Sequence, residues 1–248
     1  MYKCKLLSSE VSFPSEKDIQ SIVAKTKSLS GQYIVVTNAH NQYLAHTNSD
    51  YLKTHTSAYL CISDSQILNL SSSFLYGKNV PKVFLGSNLM RIMCKATSSN
   101  INVGLYGSSE DIIVKLKENL AKINPNINIT YAVSPPYREL SASELQLTID
   151  EINQKKVDLL FVGLGCPKQE QWMHSNSSKL NCLSIGVGAA FDFIAYPTKE
   201  IPDYIHKFGF GSVFRMFKNT KLLSRYFIDG TKFMYHLFTE KFKINNQK

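Results

Sequence analysis

The amino-acid sequence predicts an α/β fold, in which a mostly parallel sheet carries helices on both faces and a basic, helical segment follows. Short apolar runs alternate with stretches of helical periodicity through the first 195 residues, which is typical of repeated strand–helix units. After Ala195 this alternation ends, and aromatic residues interleave with Lys and Arg. We therefore predict an α/β domain at 1–195 and a helical appendage at 196–248.

Capping residues and runs of β-branched residues place the individual elements. Apolar residues at helical spacing follow a capping pattern at Ser15, and Ser141 with Glu144 forms a second capping box. The predicted strands are 33–37, 58–63, 101–106, 127–133, 157–162 and 183–187. Helices are predicted after Ser15, after Asp64, over 88–97, from the cap Ser108 to 123, from Ser141 to 154, and from Pro167.

Polar side chains follow the ends of several predicted strands. In a Rossmann-like sheet of this kind, ligands bind beyond the carboxyl ends of the strands. The residues that fall there are Thr37 with Asn38, Asp64, Tyr137, Gln169 and Asp192. We therefore expect these residues to mark the functional edge of the sheet.

The most informative segment is 162–172. A buried apolar run stops at Gly163 and Gly165, and Pro167 then opens a helix, so that a sharp turn presents a helix N-terminus. The next residues are polar where a purely structural loop needs none: Lys168, Gln169 and Glu170. NAD binding is not supported, because the third glycine and the acidic partner of a dinucleotide fingerprint are missing. The segment predicts a site for a small, phosphorylated ligand.

The composition argues against several classes of protein. The five cysteines are scattered and contain no Cys-x-x-Cys pair, which argues against a disulfide framework and for a reducing compartment. No stretch approaches the ~18 consecutive apolar residues of a membrane-spanning helix, and the start lacks the apolar core of a signal peptide. The histidine spacings do not match those of zinc sites, so we expect no metal.

The positive charge is concentrated at the C-terminal end. The chain carries a net charge of +9, of which residues 196–248 contribute +6 through ten Lys and Arg against four Asp and Glu. A local basic excess indicates an anionic partner, which is a nucleic acid, an anionic membrane or a phosphate group.

Each candidate residue also has an ordinary structural interpretation. Asp64 suits a helix N-cap, but a carboxylate at a sheet edge also suits a general base. Asn38 suits a side-chain turn that terminates a strand. Asp192 lies between two phenylalanines, and burying such an acid is costly unless it has a partner or a function. Arg215 and Arg225 are ordinary solvated charges unless a phosphate lies nearby.

In combination, these motifs resemble the WecG/TagA/CpsF family, glycosyltransferase family 26. The resemblance is carried by Gly-Leu-Gly-Cys-Pro-Lys-Gln-Glu-Gln-Trp at 163–172 and Gly-Val-Gly-Ala-Ala-Phe-Asp-Phe at 186–193. The other matching pieces fall in the expected order, namely Thr37-Asn38-Ala39, Asp64, Ser134-Pro135-Pro136-Tyr137 and a C-terminal Arg-Tyr. The similarity extends over residues 30–235.

The resemblance implies a metal-independent, inverting transferase that uses no cofactor. Such an enzyme moves N-acetylmannosamine or another hexose from a UDP-sugar donor to a polyprenyl-diphosphate-linked glycan acceptor. The products are teichoic acid linkage units, capsule or exopolysaccharide. The implied location is cytoplasmic and peripheral, on the anionic inner face of the cell membrane. The sequence does not decide between a monomer and a homo-oligomer.

The resemblance also assigns roles to residues. Asp64 is the catalytic base that deprotonates the acceptor hydroxyl. The sugar pocket is lined by Thr37, Asn38 and Gln169, and the nucleotide is surrounded by Tyr137 and Asp192. The basic appendage docks on the membrane and closes Arg215 or Arg225 over the diphosphate, because the UDP leaving group develops negative charge in the transition state.

Some positions depart from the family pattern. Ser65 follows Asp64 where glycine is usual, while Lys82 and Glu200 occupy arginine positions. The usual Gly-Leu-Glu-Trp is Gly-Phe-Gly-Ser at 209–212. Of these differences, Glu200, Gly211 and Ser212 favour an alternative, a non-catalytic member that acts as the membrane-docked partner of another glycosyltransferase. A nucleic-acid-binding protein is a third hypothesis, suggested by the basic, aromatic end, although we expect no nucleic acid as partner.

Overall fold

The computed structural model describes residues 1–77, 86–197 and 220–246, without the side chains of 220–227 and 244–246. The chain falls into two compact units. Unit 1 consists of Met1–Ser15, Val36–Leu85 and Ile201–Lys248, and unit 2 consists of Glu16–Val35 and Gly86–Glu200.

The strands are β1 (Tyr2–Leu6), β2 (Ser9–Phe13), β3 (Tyr33–Thr37), β4 (Leu60–Ser63), β5 (Asn102–Gly107), β6 (Asn128–Val133), β7 (Leu159–Gly163) and β8 (Leu183–Gly186). They form an eight-stranded sheet in the order β1-β2-β4-β3-β8-β7-β5-β6. β1 and β2 pair antiparallel, with Tyr2 opposite Phe13. The pairs β2–β4, β3–β8, β8–β7, β7–β5 and β5–β6 are parallel, with Leu159 opposite both Val103 and Leu183. The predicted mostly parallel α/β sheet is confirmed.

The helices are α1 (Glu16–Ala24), α2 (Ala39–Thr47), α3 (Ser49–Thr56), α4 (Gln66–Tyr76), α5 (Gly86–Ala96), α6 (Glu110–Ile123), α7 (Ala142–Gln154), α8 (Lys168–Asn176), α9 (Ala190–Ala195) and α10 (Thr220–Asn246). Short 3-10 turns at Thr26–Leu29 and Ser177–Lys179 follow α1 and α8. Within the described ranges, none of these helices combines the length and the apolarity that crossing a bilayer requires.

Most predicted elements are present, with ends shifted by one or two residues. The six predicted strands are β3 to β8, and the capping box of Ser141 with Glu144 is present at the start of α7. The helix cap predicted at Ser108 is wrong, because Ser109 is the N-cap of α6. Ser108 instead extends the glycine turn, with a φ of +60° and an N–H that donates to the Gly163 carbonyl.

The structure adds elements that were not predicted from the sequence, namely the β1–β2 hairpin and helices α2, α3 and α9. Helix α2 buries His40, Asn41 and Gln42 together with alanines. Because its buried face is largely polar, α2 lacks the apolar stripe by which a helix is recognised in a sequence.

Unit 1 is built around an apolar core to which the C-terminal helix contributes. Leu6, Val11 and Phe13 of the hairpin lie in one cluster with Leu68 and Leu75 of α4, and Phe233 and Leu237 of α10 belong to the same cluster. Phe233 is 0% exposed. The helix predicted as a basic appendage therefore has one face inside a core. The other predicted appendage elements, at 198–219, lie outside the described residues.

Unit 2 contains the central parallel strands. The side chains from Leu159 to Val162 on β7 are fully buried, as expected for a strand covered on both faces. Helix α6 packs against α9, and Asn119 on α6 donates its side-chain N–H groups to the carbonyls of Ile194 and Ala195 at 2.9 and 3.0 Å. These bonds fix the C-terminal end of the short helix α9.

Unit 1 also buries a histidine, His55 on α3, which is 4% exposed. Burial lowers the pKa of His55 to about 4. The imidazole is therefore neutral in the folded protein at neutral pH, whereas it titrates near pH 6.5 in an unfolded chain.

We expect Phe233→Ala to lower the free energy of unfolding by roughly 3–5 kcal/mol, because it opens a cavity in the core of unit 1. The matched control is Phe242→Ala in the same helix, where the side chain is 68% exposed and the change should stay within about 0.5 kcal/mol. Chemical denaturation measures both. Equal losses for the two variants would contradict the placement of α10.

We also expect His55 to make the protein less stable in acid. Its folded-state pKa of about 4 lies below the unfolded value, so the unfolded chain binds more protons between pH ~6.5 and ~4, and stability falls as the pH is lowered through this window. The loss should approach about 3 kcal/mol at pH ~4. Unfolding of wild type and His55→Gln across this range tests it, and an unchanged slope in the variant would contradict it. His46, whose pKa is lowered mainly by burial, leaves a residual slope.

Candidate functional site

Asp64 follows directly after β4 in unit 1 and is half-buried. Its interpretation as a helix cap is wrong, because the cap of α4 is Ser65, whose Oγ accepts from the Ile67 N–H at 3.2 Å. The Asp64 N–H donates to the Thr37 carbonyl at 2.8 Å. The carboxylate is thus not used as the N-cap of α4, and the serine that replaces the usual glycine has a structural function.

Thr37 and Asn38 stand at the end of β3, where the chain enters α2. Asn38 is the N-cap of α2, and its Oδ1 accepts from the Asn41 N–H at 3.2 Å, so its side chain has the structural role of a helix cap. Thr37 is 0% exposed, and Gln42 Nε2 donates to its hydroxyl oxygen at 3.1 Å.

In unit 2, Gly163 lies where two strand ends and a helix approach closely. A Cβ on Gly163 would lie 2.7 Å from the ring of Phe191, and a Cβ on Gly107 would lie 2.5 Å from the Gly163 carbonyl carbon. Because no side chain fits at either position, both glycines are needed for the approach. Phe191 is fully buried and precedes Asp192 on α9.

The turn after β7 leads into α8 as predicted. Gly165 has a φ of +78°, a conformation that favours glycine, and Pro167 is the residue that immediately precedes α8. Lys168 begins the helix at the surface, and its Nζ lies 5.4 Å from the ring centroid of Tyr137. Tyr137 is fully exposed, so the structure brings a free aromatic face and a cation together.

Gln169 and Glu170 are buried in the first turn of α8, at 4% and 0% exposure. Gln169 Nε2 donates to Glu170 Oε1 at 2.8 Å. The Gln169 carboxamide lies close to the end of β8 and the turn after it, since a Cβ on Gly186 would lie 3.1 Å from Nε2 and a Cβ on Gly188 would lie 3.5 Å from Oε1. Gln169 Oε1 has no hydrogen-bond partner among the described residues. A buried acceptor of this kind is rare in folded proteins.

The remaining predicted residues are placed only in part. Asp192 lies in the first turn of α9 and is half-buried. Arg215, Lys82 and Glu200 lie outside the described residues, and Arg225 lies in α10 with its side chain outside them. Within the described ranges, no group of three His, Cys, Asp or Glu side chains is arranged to hold a metal ion.

The predicted residues therefore form two groups. Thr37, Asn38 and Asp64 are neighbours in unit 1, and the segment from Gly163 to Glu170 lies in unit 2 with Tyr137 and Asp192. Two residues that contact Thr37 in unit 1, Gln42 and His55, were not predicted from the sequence. The one feature of the sequence that relates to them is the largely polar composition of 38–56. This composition matches no recognised motif, so it does not single out either residue.

Comparison with known proteins adds the family. A model of the glycosyl transferase WecG/TagA/CpsF family matches residues 5–247. A protein of Staphylococcus aureus (strain MW2) is 25% identical over 226 residues, which cover 90% of this chain and 85% of that protein. A Bacillus spizizenii protein is 25% identical over 191 residues, covering 76% of this chain and 72% of its own length. Both are named N-acetylglucosaminyldiphosphoundecaprenol N-acetyl-beta-D-mannosaminyltransferase. The chain belongs to the WecG/TagA/CpsF family of glycosyl transferases.

Proposed function

We propose that this protein is a metal-independent, inverting transferase that moves a hexose from a UDP-sugar to a polyprenyl-diphosphate-linked sugar. The proposal includes a role in the synthesis of a cell-surface polysaccharide or teichoic acid. Family membership supports sugar transfer, and the names of both relatives contain a diphosphoundecaprenol-linked acceptor and a transferred β-linked N-acetylmannosaminyl group. N-acetylmannosamine is therefore the first donor sugar to test.

The observation that carries the proposal is the buried carboxamide of Gln169. Its Oε1 lacks a partner among the described residues and lies close to Gly188. An orphaned buried acceptor costs roughly 1–3 kcal/mol, which a ligand hydroxyl or acetamido N–H recovers by donating to it. A hexose carries such donors in its hydroxyl groups.

Asp64 is the proposed base. Its carboxylate takes the proton from the acceptor hydroxyl while that oxygen attacks the anomeric carbon of the donor. The bond from the anomeric carbon to the phosphate oxygen breaks, and UDP leaves with the electron pair. A single displacement inverts the anomeric centre, so an α-linked donor gives the β-linked product that the relatives' names describe.

The other site residues are proposed to bind the donor. The exposed ring of Tyr137 offers a stacking face for the base, and Lys168 beside it is a cation for the diphosphate. Gly163, Gly165, Pro167 and Glu170 shape the turn that presents these groups, and Asp192 contacts the nucleoside. Arg215 and Arg225 are proposed as further cations, since the leaving group gains charge in the transition state. Asn38 bonds the sugar through its side-chain nitrogen.

The outer face of α10 supports membrane docking. Ile228, Tyr235, Phe238 and Phe242 recur along one side of the helix at exposures of 45, 67, 48 and 68%, and Lys232 and Lys243 flank them. The surface continues onto α4, where the exposed Phe74 ring lies 5.2 Å from that of Phe238. Aromatic residues beside lysines favour an anionic bilayer interface. We propose that residues 1–195 are catalytic and that 196–248 dock on the inner face of the cell membrane from the cytoplasm.

We expect acceptor-dependent UDP release from at least one UDP-hexose, and a loss of roughly 10²–10⁴-fold in kcat for Asp64→Asn, because the general base is removed. The assay uses a panel of UDP-hexoses that includes UDP-N-acetylmannosamine, with a short-chain polyprenyl-diphosphate N-acetylglucosamine acceptor. Asp50→Asn is the matched control, because this carboxylate lies in the same unit and its side chain is 85% exposed; its rate should equal that of wild type.

Two results would count against the transferase assignment. Equal rates for Asp64→Asn and Asp50→Asn would remove Asp64 as the base. No release from any donor, with binding to membranes intact, would favour the alternative of a non-catalytic, membrane-docked partner of another glycosyltransferase.

We expect the double variant Tyr235→Ser/Phe242→Ser to bind vesicles at least about ten-fold more weakly than wild type, because it removes apolar surface from the outer face of α10. Cosedimentation with phosphatidylglycerol–phosphatidylcholine vesicles measures it. Leu147→Ser is the control, since Leu147 is 62% exposed in unit 2 and should not matter. Unchanged binding of the double variant, or tighter and steeply salt-dependent binding to nucleic acid, would contradict membrane docking.

A further inference from the structure

Unit 1 contains a chain of buried polar side chains next to its apolar core. Ser9, Thr37, Gln42, Thr54 and His55 are all 4% exposed or less. They come from β2, β3, α2 and α3. A buried polar group without a hydrogen bond costs roughly 1–3 kcal/mol, so such a chain persists only where its members bond to one another.

One end of the chain begins at Ser9. Ser9 Oγ donates to Gln42 Oε1 at 3.0 Å. Gln42 Nε2 donates to Thr37 Oγ1 at 3.1 Å. The Thr37 hydroxyl is left with its own proton, and the acceptor beside it is His55 Nε2 at 3.4 Å.

The other end of the chain fixes the direction of its hydrogen bonds. Thr54 Oγ1 donates its proton to the Tyr51 carbonyl at 2.7 Å, so it accepts from His55 Nδ1, which lies 3.2 Å away. His55 thus carries its proton on Nδ1 and presents the Nε2 lone pair to Thr37. Burial, which lowers the pKa of His55, keeps the ring in this neutral form.

The chain reaches the segment that carries two of the proposed site residues. The Thr37 carbonyl accepts the Asp64 N–H at 2.8 Å, and the carbonyl of the next residue, Asn38, accepts the Gln42 N–H at 2.9 Å. Gln42 therefore holds this segment through its side chain and through its main chain. Thr37 is thus hydrogen-bonded to the Asp64 main chain and covalently joined to Asn38.

We propose that His55 and Gln42 are positioning residues, which act through Thr37 to hold Asp64 and Asn38 in their reactive arrangement. The inference rests on the proposed function, because it takes Asp64 as the base. Thr37 then serves through its main chain, since Gln42 and His55 turn its hydroxyl away from any ligand.

Kinetic coupling between Thr37 and His55 tests the proposal. We expect Thr37→Val and His55→Leu each to lower kcat by about ten- to a hundred-fold, because small misplacements of reacting groups are costly, with the donor KM unchanged within about two-fold. Both remove links of one chain, so the double variant should be no slower than the slower single variant. Thr37→Ser and His55→Gln, which keep a hydroxyl and an acceptor, should recover most of the rate.

The matched control is Thr26→Val, which removes the hydroxyl of a threonine that is 1% exposed in unit 2. That hydroxyl bonds only to the Ile22 carbonyl among the described residues, so the variant should keep the wild-type rate. An increase in donor KM for Thr37→Val without a loss of kcat would overturn the proposal in favour of direct sugar contact. Additive losses in the double variant would also overturn it.

Two readouts without turnover separate this proposal from the proposed function. Nitrogen-15 NMR should show His55 protonated on Nδ1, and the Asp64 amide should exchange with solvent faster in Thr37→Val and His55→Leu than in wild type. Unchanged exchange, or a proton on Nε2, would overturn the positioning roles even in an active enzyme. Absence of wild-type turnover, with the expected exchange pattern, would instead refute the transferase function.

Discussion

The hydrogen bond from the Asp64 N–H to the Thr37 carbonyl joins the ends of β4 and β3 in unit 1, and the proposed chemistry of that unit depends on it. A carboxylate at a strand end is useful as a base only if its main chain is held still. Ser65 makes this possible by capping α4, which relieves Asp64 of that function. This departure from the family pattern thus has a structural explanation, because the Ser65 side chain supplies an oxygen to the helix N-terminus.

In unit 2, glycines allow strand ends and buried side chains to approach one another closely. Gly107 and Gly163 let strand ends approach one another and the Phe191 ring, and Gly186 with Gly188 leaves room for the Gln169 carboxamide. Side chains at these positions would fill the space that Gln169 and Phe191 occupy. Glu170 accepts from the Gln169 amide nitrogen, so the carboxamide is oriented with its oxygen towards Gly188. Of the polar residues after the glycine turn, Lys168 is exposed, whereas Gln169 and Glu170 are buried and orient each other by a hydrogen bond.

The sequence was sufficient for elements whose pattern is local. β-Branched runs predicted β3 to β8, and glycines with a proline marked the turn before α8. The β1–β2 hairpin was missed although Tyr2, Cys4 and Leu6 alternate with lysines, the period of a half-exposed strand. Helix α2 could not be found in this way, because its buried positions are polar and their partners are distant in sequence: Ser9 lies 33 residues from Gln42, and Thr37 lies 18 residues from His55. Hydrogen bonds of this kind form only when the chain has folded, so the local spacing of apolar residues does not predict them.

The composition of the C-terminal helix indicates only one of the two roles that its two faces have. Its basic, aromatic character indicates a membrane-docking appendage, yet Phe233 and Leu237 complete the core of unit 1. The outer face carries Tyr235, Phe238 and Phe242, and the two faces share one helix. Deleting the segment would expose Leu6, Phe13 and Leu75 and would destabilise unit 1, so a loss of vesicle binding by a truncated chain would say nothing about docking. The inner face of the helix contributes to the stability of unit 1, whereas the outer face is exposed and is the part proposed to contact the membrane. Only substitutions confined to the outer face therefore test docking without lowering stability.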